Sequence, residues 1–236
     1  MRTALKKITI IEHLQELRTR IIKTAAVFIF ACVIAFLKVD VIVKFITKDF
    51  GKFIFTHPSE LFLTYIKVSV YTGFFISLPF IIYQLWSFLF DAIEPSKKRY
   101  IFYFTILSLL LALIGMLFGS IIVFPILTKF FTSFATDKII PLFSIENFVT
   151  FFLTTTLLFI IVFQLPIFFI FFEKIGLINI FLLEKNRKYA ILVAFIVGAI
   201  LTPPDVVSQI LLAVPLIFLY ELTIIFSKIF SKKPAG

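Results

Sequence analysis

The chain has 236 residues, of which 61% are hydrophobic and only 15% are charged. Soluble domains are about 45–50% apolar and about 25% charged, so this composition excludes a water-soluble globular fold and requires lipid as the solvent. The formal net charge of +10 fits Lys and Arg at helix ends, where they set membrane orientation. No soluble domain accompanies that charge, so no nucleic-acid partner is predicted.

Apolar runs along the chain predict an all-α integral membrane protein with six transmembrane helices. Because a spanning helix needs about 20 apolar residues, the last two runs predict short helices. We expect one membrane domain over residues 1–236, ending in a short basic tail at 229–236. The predicted spans are about 21–37, 65–90, 100–127, 147–172, 189–201 and 206–226.

The segment before the first span predicts an amphipathic helix from Thr9 to Arg20. Thr9 and Glu12 have the spacing of a capping box, and Glu16 and Arg20 form a pair at i and i+4. Two interpretations stay open. One is a helix lying on the membrane surface, and the other is a docking surface for a peptide, with Glu12 and Glu16 as acceptors for basic groups. The apolar stripe consists of Ile10, Leu14, Leu17 and Ile21.

Glycines and prolines mark particular points in the spans. Gly115 and Gly119 form a G-x-x-x-G pair, which allows a neighbouring helix to approach closely. Prolines are assigned structural roles, because they interrupt helices: Pro79 breaks the second run and Pro166 lies in the fourth. A helix over 189–201 rises only about 20 Å, compared with a hydrocarbon core of about 30 Å.

The turn after this short fifth run is therefore predicted to lie below the far surface, beside a water-filled recess. It contains Pro203, Pro204 and Asp205. Asp205 and Gln209 are four residues apart and share a helix face. Asp205 caps the last helix, contacts a substrate, or does both.

Other polar side chains also lie at membrane depth. Ionisable groups there are costly and usually face a cavity or the bundle interior. Lys67 and Glu221 have a second interpretation, in which they extend to an interface. The set predicted at membrane depth is Lys67, Gln84, Gln164, Asp205, Gln209 and Glu221.

The distribution of Lys and Arg predicts the orientation. These residues concentrate in 2–23, 91–99, 173–188 and the tail, and fewer lie in the intervening loops. Since basic loops stay on the cytoplasm-like side, both termini are predicted on this cis side (cytoplasmic, stromal or matrix).

Signatures of soluble enzymes are missing from the sequence. There are two His residues and no C-x-x-C, P-loop, H-E-x-x-H or G-x-S-x-G motif, which are the usual patterns for metal, phosphate and nucleophile chemistry. Asp205 has no Asp partner in another span. The sequence predicts that the chain is not an enzyme and has no catalytic residue, metal site or cofactor.

Three parts of the sequence carry motifs in the order and spacing of a known family. They are EHLQELR at 12–18, SLP and YQLWSF within 77–88, and LTPPD followed by LYE within 201–221. With the six-span layout, they resemble the TatC family, the core subunit of the twin-arginine translocase, from about residue 9 to residue 228.

The resemblance implies a translocase component for folded cargo whose signal peptides bear paired arginines. It implies TatA-like and TatB-like single-span partners, self-association and a proton-motive driving force. Acidic groups on the cis face would contact the signal arginines, whose planar forks suit carboxylates. The residues assigned to signal-peptide binding are Glu12, His13, Glu16, Arg18, Phe88, Glu94 and Arg99.

The sequence departs from the family pattern at several positions. Lys97 stands where the family has a Glu before a basic pair, so the second carboxylate comes from Glu94 or is missing. Phe90-Asp91 replaces a usual proline. Gln164 replaces a Glu, and a neutral amide forms hydrogen bonds but no ion pair.

Two other functions remain as alternatives. A small-solute or ion transporter would use Lys67, Asp205 and Glu221, and would predict a repeated pair of broken helices; one such pair is present, at the C-terminus. A purely structural assembly subunit would tolerate replacement of the polar residues. The Phe, Ile and Lys bias indicates an organelle membrane (mitochondrial inner or plastid thylakoid) or the plasma membrane of an AT-rich bacterium.

Overall fold

The computed structural model describes residues 10–48, 50, 53–54, 57–93, 98–136, 142–177, 180–201 and 206–230. Nearly all of their regular structure is helical. Two compact units divide the chain: residues 1–51 with 55–109, and residues 52–54 with 110–236. Each unit is described by itself, and the single domain expected from the sequence stays a prediction.

The first unit begins with one continuous helix, α1 (Ile10–Leu37). Its 28 residues rise about 42 Å, so the predicted amphipathic segment and the first span are one helix. An unbroken helix cannot lie flat on the surface with one half and cross the bilayer with the other. The interpretation as a helix lying on the membrane surface therefore does not fit. The polar residues at the start of α1 continue the helix of the first span toward the N-terminus.

Helix α2 (Val39–Thr47) and helix α3 (Glu60–Ile93) follow in the first unit, and α3 packs against both α1 and α2. The inner face of α2 buries Val39, Val43 and Ile46. Its Asp40 accepts a hydrogen bond of 2.5 Å from the Tyr65 hydroxyl of α3. These contacts fasten α2 to the beginning of α3.

Pro79 does not break the second run, because α3 is continuous through it for 34 residues. Proline removes one backbone donor, and a membrane helix tolerates this when neighbouring groups satisfy the freed carbonyl. Further along α3, the Trp86 indole donates to Ser108 at 2.8 Å. Ser108 belongs to α4 (Lys98–Leu117), which begins in the first unit and ends in the second.

The third span is a composite that begins with α4 in the first unit and continues in the second. A π-helical turn (Phe118–Val123) follows α4 and leads into α5 (Phe124–Thr132). A β-carbon added at Gly115 would lie 2.7 Å from the Phe159 carbonyl oxygen, and one at Gly119 would lie 3.1 Å from Thr156 Cα. The G-x-x-x-G pair therefore supports close packing against α6 (Ile145–Val162), as predicted.

The fourth span is interrupted at Phe163 and Gln164, after which α7 (Leu165–Lys174) begins with Pro166 in its first turn. A two-residue parallel bridge joins β1 (Phe53–Ile54) to β2 (Phe143–Ser144). The remaining helices of the second unit are α8 (Ile180–Lys185), α9 (Arg187–Leu201) and α10 (Val206–Phe230).

Within the described residues, five helical stretches are long and apolar enough to cross a membrane. The last of them, with 20 residues, is the shortest. Helix α9 has only 15 residues and rises about 22 Å, in keeping with the short fifth span predicted. The five stretches are Leu14–Leu37, Glu60–Phe90, Arg99–Thr132, Ile145–Lys174 and Val206–Ile225.

Candidate functional site

The centre of the predicted signal-peptide site is an ion pair near the start of α1. Arg20 Nε and Nη2 donate to Glu16 Oε1 at 2.9 and 2.5 Å. The two residues are one helical turn apart, which places them on the same face and confirms the predicted pair. Their side chains are 18% and 29% exposed, so the pair is partly shielded from solvent.

Arg20 also links α1 to α3. Its Nη1 donates to the Gln84 Oε1 at 2.8 Å, so one guanidinium group bridges a carboxylate and an amide. The sequence placed Gln84 among the membrane-depth polar residues but did not predict this contact. No local pattern signals a partner 64 residues away in the chain.

Phe88 lies one turn beyond Gln84 on α3 and is half-buried. It lines an apolar groove between α1 and α3, together with Leu17 and Arg20. The first unit thus brings the Glu16–Arg20 pair, Gln84 and Phe88 to one end of the α1–α3 pair. Their combination of a carboxylate, a guanidinium group and an aromatic ring suits a basic and apolar peptide.

The other predicted contacts are only partly described. Arg18 and Arg99 are exposed. Glu12 and His13 lie in α1, but their side chains are outside the described residues, as is all of Glu94. A second carboxylate at Glu94 therefore stays a prediction.

The polar residues of the second unit differ in their surroundings. Gln164 occupies the turn before α7 and is half-buried. Gln209 Nε2 donates to the Phe195 carbonyl oxygen at 3.0 Å, so its amide joins α10 to α9. Asp205, Pro203 and Pro204 lie outside the described residues, and the predicted recess beside them stays a prediction.

Glu221 belongs to an exposed ion pair. Arg187 Nε lies 3.0 Å from Glu221 Oε1, and Arg187 Nη2 donates to Oε2 at 3.0 Å. The two side chains are 48% and 39% exposed, which favours the interface interpretation for Glu221. Lys67 is half-buried on α3, seven residues from its first residue, or about 10 Å along the axis.

A neighbouring ion pair escaped the sequence reasoning. Lys228 of α10 pairs with Glu184 of α8, and the Tyr220 hydroxyl donates to the Leu183 carbonyl oxygen at 2.8 Å. The hydrogen bond from Lys228 lowers the pKa of Glu184, and the charges of Lys228 and Arg187 lower it further. These contacts fasten α8 to the end of α10.

Comparison with known proteins identifies the family. The family model described as Sec-independent protein translocase protein (TatC) matches residues 12–215. The chain is 38% identical to the TatC protein of Desulforapulum autotrophicum over 94% of this chain and 85% of that protein. It is 34% identical to the TatC protein of Carboxydothermus hydrogenoformans over 97% and 96% of the two chains.

Solved structures give the same answer. A crystal structure of the twin-arginine translocase receptor TatC in DDM superposes with a TM-score of 0.83 at 34% identity, covering 91% of this chain and 99% of that one. The resemblance to the six-span all-α fold is thereby confirmed, and nothing in the comparisons supports a solute transporter. The chain belongs to the TatC family and is a multi-pass membrane component of the core of the Sec-independent, twin-arginine protein translocase.

Proposed function

We propose that the surface around Glu16 binds the paired arginines of signal peptides on folded cargo. The observation that carries the proposal is the Glu16–Arg20 pair, in which one carboxylate oxygen already accepts two N–H groups of a guanidinium. An arginine from a peptide presents the same planar fork. Glu16 is therefore held in a position and a rotamer suited to this ligand.

Binding proceeds by exchange of one guanidinium group for another. A partly buried carboxylate that lost its partner would be strongly destabilised, so the incoming arginine must replace Arg20 as it leaves. Arg20 keeps Gln84 as an acceptor through Nη1, which limits the cost of leaving Glu16. Phe88 offers an apolar ring beside this exchange, and Glu94 is proposed as the acceptor for the second signal arginine.

The wider assembly follows from the same family. We propose that TatA-like and TatB-like single-span proteins, and further copies of this chain, pack beside the broken fourth span at Gln164 and the turn at Asp205. Gln209 is excluded from this surface in our proposal, because its amide is engaged within the α9–α10 pair. Transport would be driven by the proton-motive force.

The proposed location is the plasma membrane of a bacterium, with both termini in the cytoplasm. Support comes from the bacterial sources of the relatives named above and from the concentration of Lys and Arg in alternate loops, which stay on the cytoplasmic side. Protease mapping of right-side-out and inverted vesicles tests this. Cleavage of the two termini from opposite faces would contradict it.

Photo-crosslinking to a twin-arginine signal peptide in membrane vesicles tests the site. Hydrogen bonds to a charged group are worth about 1.5–3 kcal/mol, so Glu16→Gln should weaken crosslinking about tenfold or more. Glu173→Gln removes one negative charge from another predicted cis segment and should leave the yield unchanged. A peptide with paired lysines measures the need for the arginine fork. Equal yields for Glu16→Gln and the wild type would refute the site.

A further inference from the structure

A groove runs along the first half of the α1 span, and none of the residues that the structure describes fills it. Its volume is about 400 Å³, and about 870 Å³ when its open side is included. The α1 side chains that line it recur at helical spacing on one face. They are Leu17, Arg20, Ile21, Thr24, Ala25 and Phe28.

The groove exists because α1 and α3 touch closely at one level and are bridged at another. A β-carbon on Gly73 would lie 2.7 Å from the Cys32 backbone nitrogen, so the two backbones nearly meet there. Toward the N-terminal end of α1, the link between the helices is instead the long Arg20 side chain reaching Gln84. Between these two levels, Phe28 and Phe74 mark the inner end of the groove.

The length of the groove matches one leaflet of a bilayer. Leu17 and Phe28 are eleven residues apart, which is roughly 16 Å along a helix. Half of a hydrocarbon core is about 15 Å. The groove lies within the first part of the Leu14–Leu37 span, so it extends from one membrane interface to about the bilayer centre.

The groove is too small to enclose a helix. Even with its open side included it holds about 870 Å³, whereas a helix about 10 Å across fills roughly 1,200 Å³ over the same length. A single extended hydrocarbon chain fits within the groove.

The charged side chains near the N-terminal end of the groove favour one class of lipid headgroup. Arg20 lines the groove, and Arg18 and Lys23 are exposed on α1 within one turn of it. Glu16 is the single acid among the described α1 side chains of this stretch. Cationic side chains outnumber carboxylates, which favours an anionic phosphate group at the membrane surface.

We propose that this groove binds one acyl chain of an anionic phospholipid from the leaflet at the N-terminal side of α1. The phosphate lies near Lys23 and Arg18, and the chain extends past Thr24 and Ala25 toward Phe28. The lipid fills the space under the Arg20–Gln84 bridge and thereby supports the position of Arg20. The groove shares Arg20, Gln84 and Phe88 with the proposed signal-peptide surface, but lipid binding needs neither cargo nor partner proteins.

Native mass spectrometry of the full chain, extracted in mild detergent, tests the proposal with a matched pair of variants. Ala25 lines the groove, whereas the adjacent Ala26, which is also exposed, does not. The wild type should retain one anionic phospholipid, Ala25→Phe should reduce its occupancy at least tenfold, and Ala26→Phe should keep it. Retention by Ala25→Phe, or no retained lipid in the wild type, would overturn the site.

A second variant guards against misfolding of Ala25→Phe. Lys23→Gln changes no packing residue of the groove and should weaken retention of anionic lipid about fivefold, the effect of one basic residue near a membrane surface. Retention of zwitterionic lipid should not change. Equal loss of both lipid classes, or no loss of either, would overturn the assignment of an anionic headgroup.

Photo-crosslinking separates the lipid from a peptide occupant. A photoreactive amino acid at Thr24, in proteoliposomes with and without a twin-arginine signal peptide, should label phospholipid to the same extent in both. Labelling of the peptide with loss of labelled lipid would overturn the lipid site while leaving the Glu16 surface intact. Loss of peptide binding on Glu16→Gln with unchanged lipid labelling would separate the two proposals in the opposite sense.

Discussion

Two helix pairs use a glutamine at membrane depth in opposite ways. In the α1–α3 pair, Gln84 accepts a hydrogen bond from Arg20 across an open groove. In the α9–α10 pair, Gln209 donates to a backbone carbonyl oxygen. A β-carbon added at Gly198 would lie 3.0 Å from the backbone carbonyl oxygen of Gln209. At the level of Gln84 the first pair is bridged by a charged side chain and can admit a ligand, whereas the second pair packs closely where Gln209 lies.

The difference shows that a polar residue type in a span does not define its role. The hydrogen-bond partner determines the role. A charged side chain can exchange its contacts with a ligand, whereas a backbone carbonyl oxygen of a helix is fixed in place. A side chain that donates to such a carbonyl oxygen contributes to helix association only. Substitutions in the two pairs should therefore have unequal effects.

The largest effect is expected at the close contact of α1 with α3. Gly73→Ala places a methyl group within 2.8 Å of Cys32 Cα and 2.7 Å of its nitrogen. Overpacking of this kind costs about 1–3 kcal/mol, and we expect a value near the upper end because backbone must move. Thermal unfolding in detergent measures it. Gly198→Ala, at 3.0 Å from its nearest atom, should cost less, and the reverse order would break the comparison.

The next effect concerns the two glutamines themselves. Gln84→Leu leaves the Arg20 Nη1 without this acceptor and should destabilise the protein by about 2 kcal/mol, since hydrogen bonds to charged groups are the strong ones. Gln209→Leu should cost about 0.6 kcal/mol, the typical value for an interhelical hydrogen bond in a membrane. Unfolding midpoints of both variants under the same detergent conditions provide the measurement, and equal losses would count against our distinction.

A third prediction joins stability to the proposed function. Arg20→Gln removes the guanidinium that competes for Glu16, so signal-peptide crosslinking should be kept or rise by a few fold while stability falls by about 1–3 kcal/mol. Glu16→Gln should lower both. If Arg20→Gln abolishes crosslinking as Glu16→Gln is expected to do, exchange of guanidinium groups is the wrong mechanism.

The smallest effect is expected at the α8–α10 contact. Lys228 lowers the pKa of Glu184 below its ordinary value of 4.5, so the ion pair stabilises this contact fully above that value. The stabilisation is lost as pH falls through the lowered pKa, when the carboxyl group is protonated in the folded protein as well. The protection factors of residues 180–187 against hydrogen exchange, corrected for the intrinsic exchange rate at each pH, should fall over this acid range and at high salt. Glu184→Gln should show lower protection factors at neutral pH and a weaker acid response.

Local patterns correctly predicted the contacts that act over one helical turn or between small residues. The Glu16–Arg20 pair and the close packing at Gly115 and Gly119 follow from spacing alone. Pro79 was assigned a break that α3 does not have, because the missing donor of one proline is tolerated inside a membrane helix. The π-helical turn after α4 had no signal that the sequence reasoning used.

By itself, the sequence determined that this protein lies in lipid, that it is helical, and which family its motifs resemble. Those features depend on composition, periodicity and short-range spacing, which act before the chain folds. Tertiary structure alone decided that Gln84 receives Arg20, that Gln209 closes its helix pair, and that a groove one leaflet long remains beside α1. These depend on residues far apart in the chain, whose distances are set by how closely the helix backbones pack.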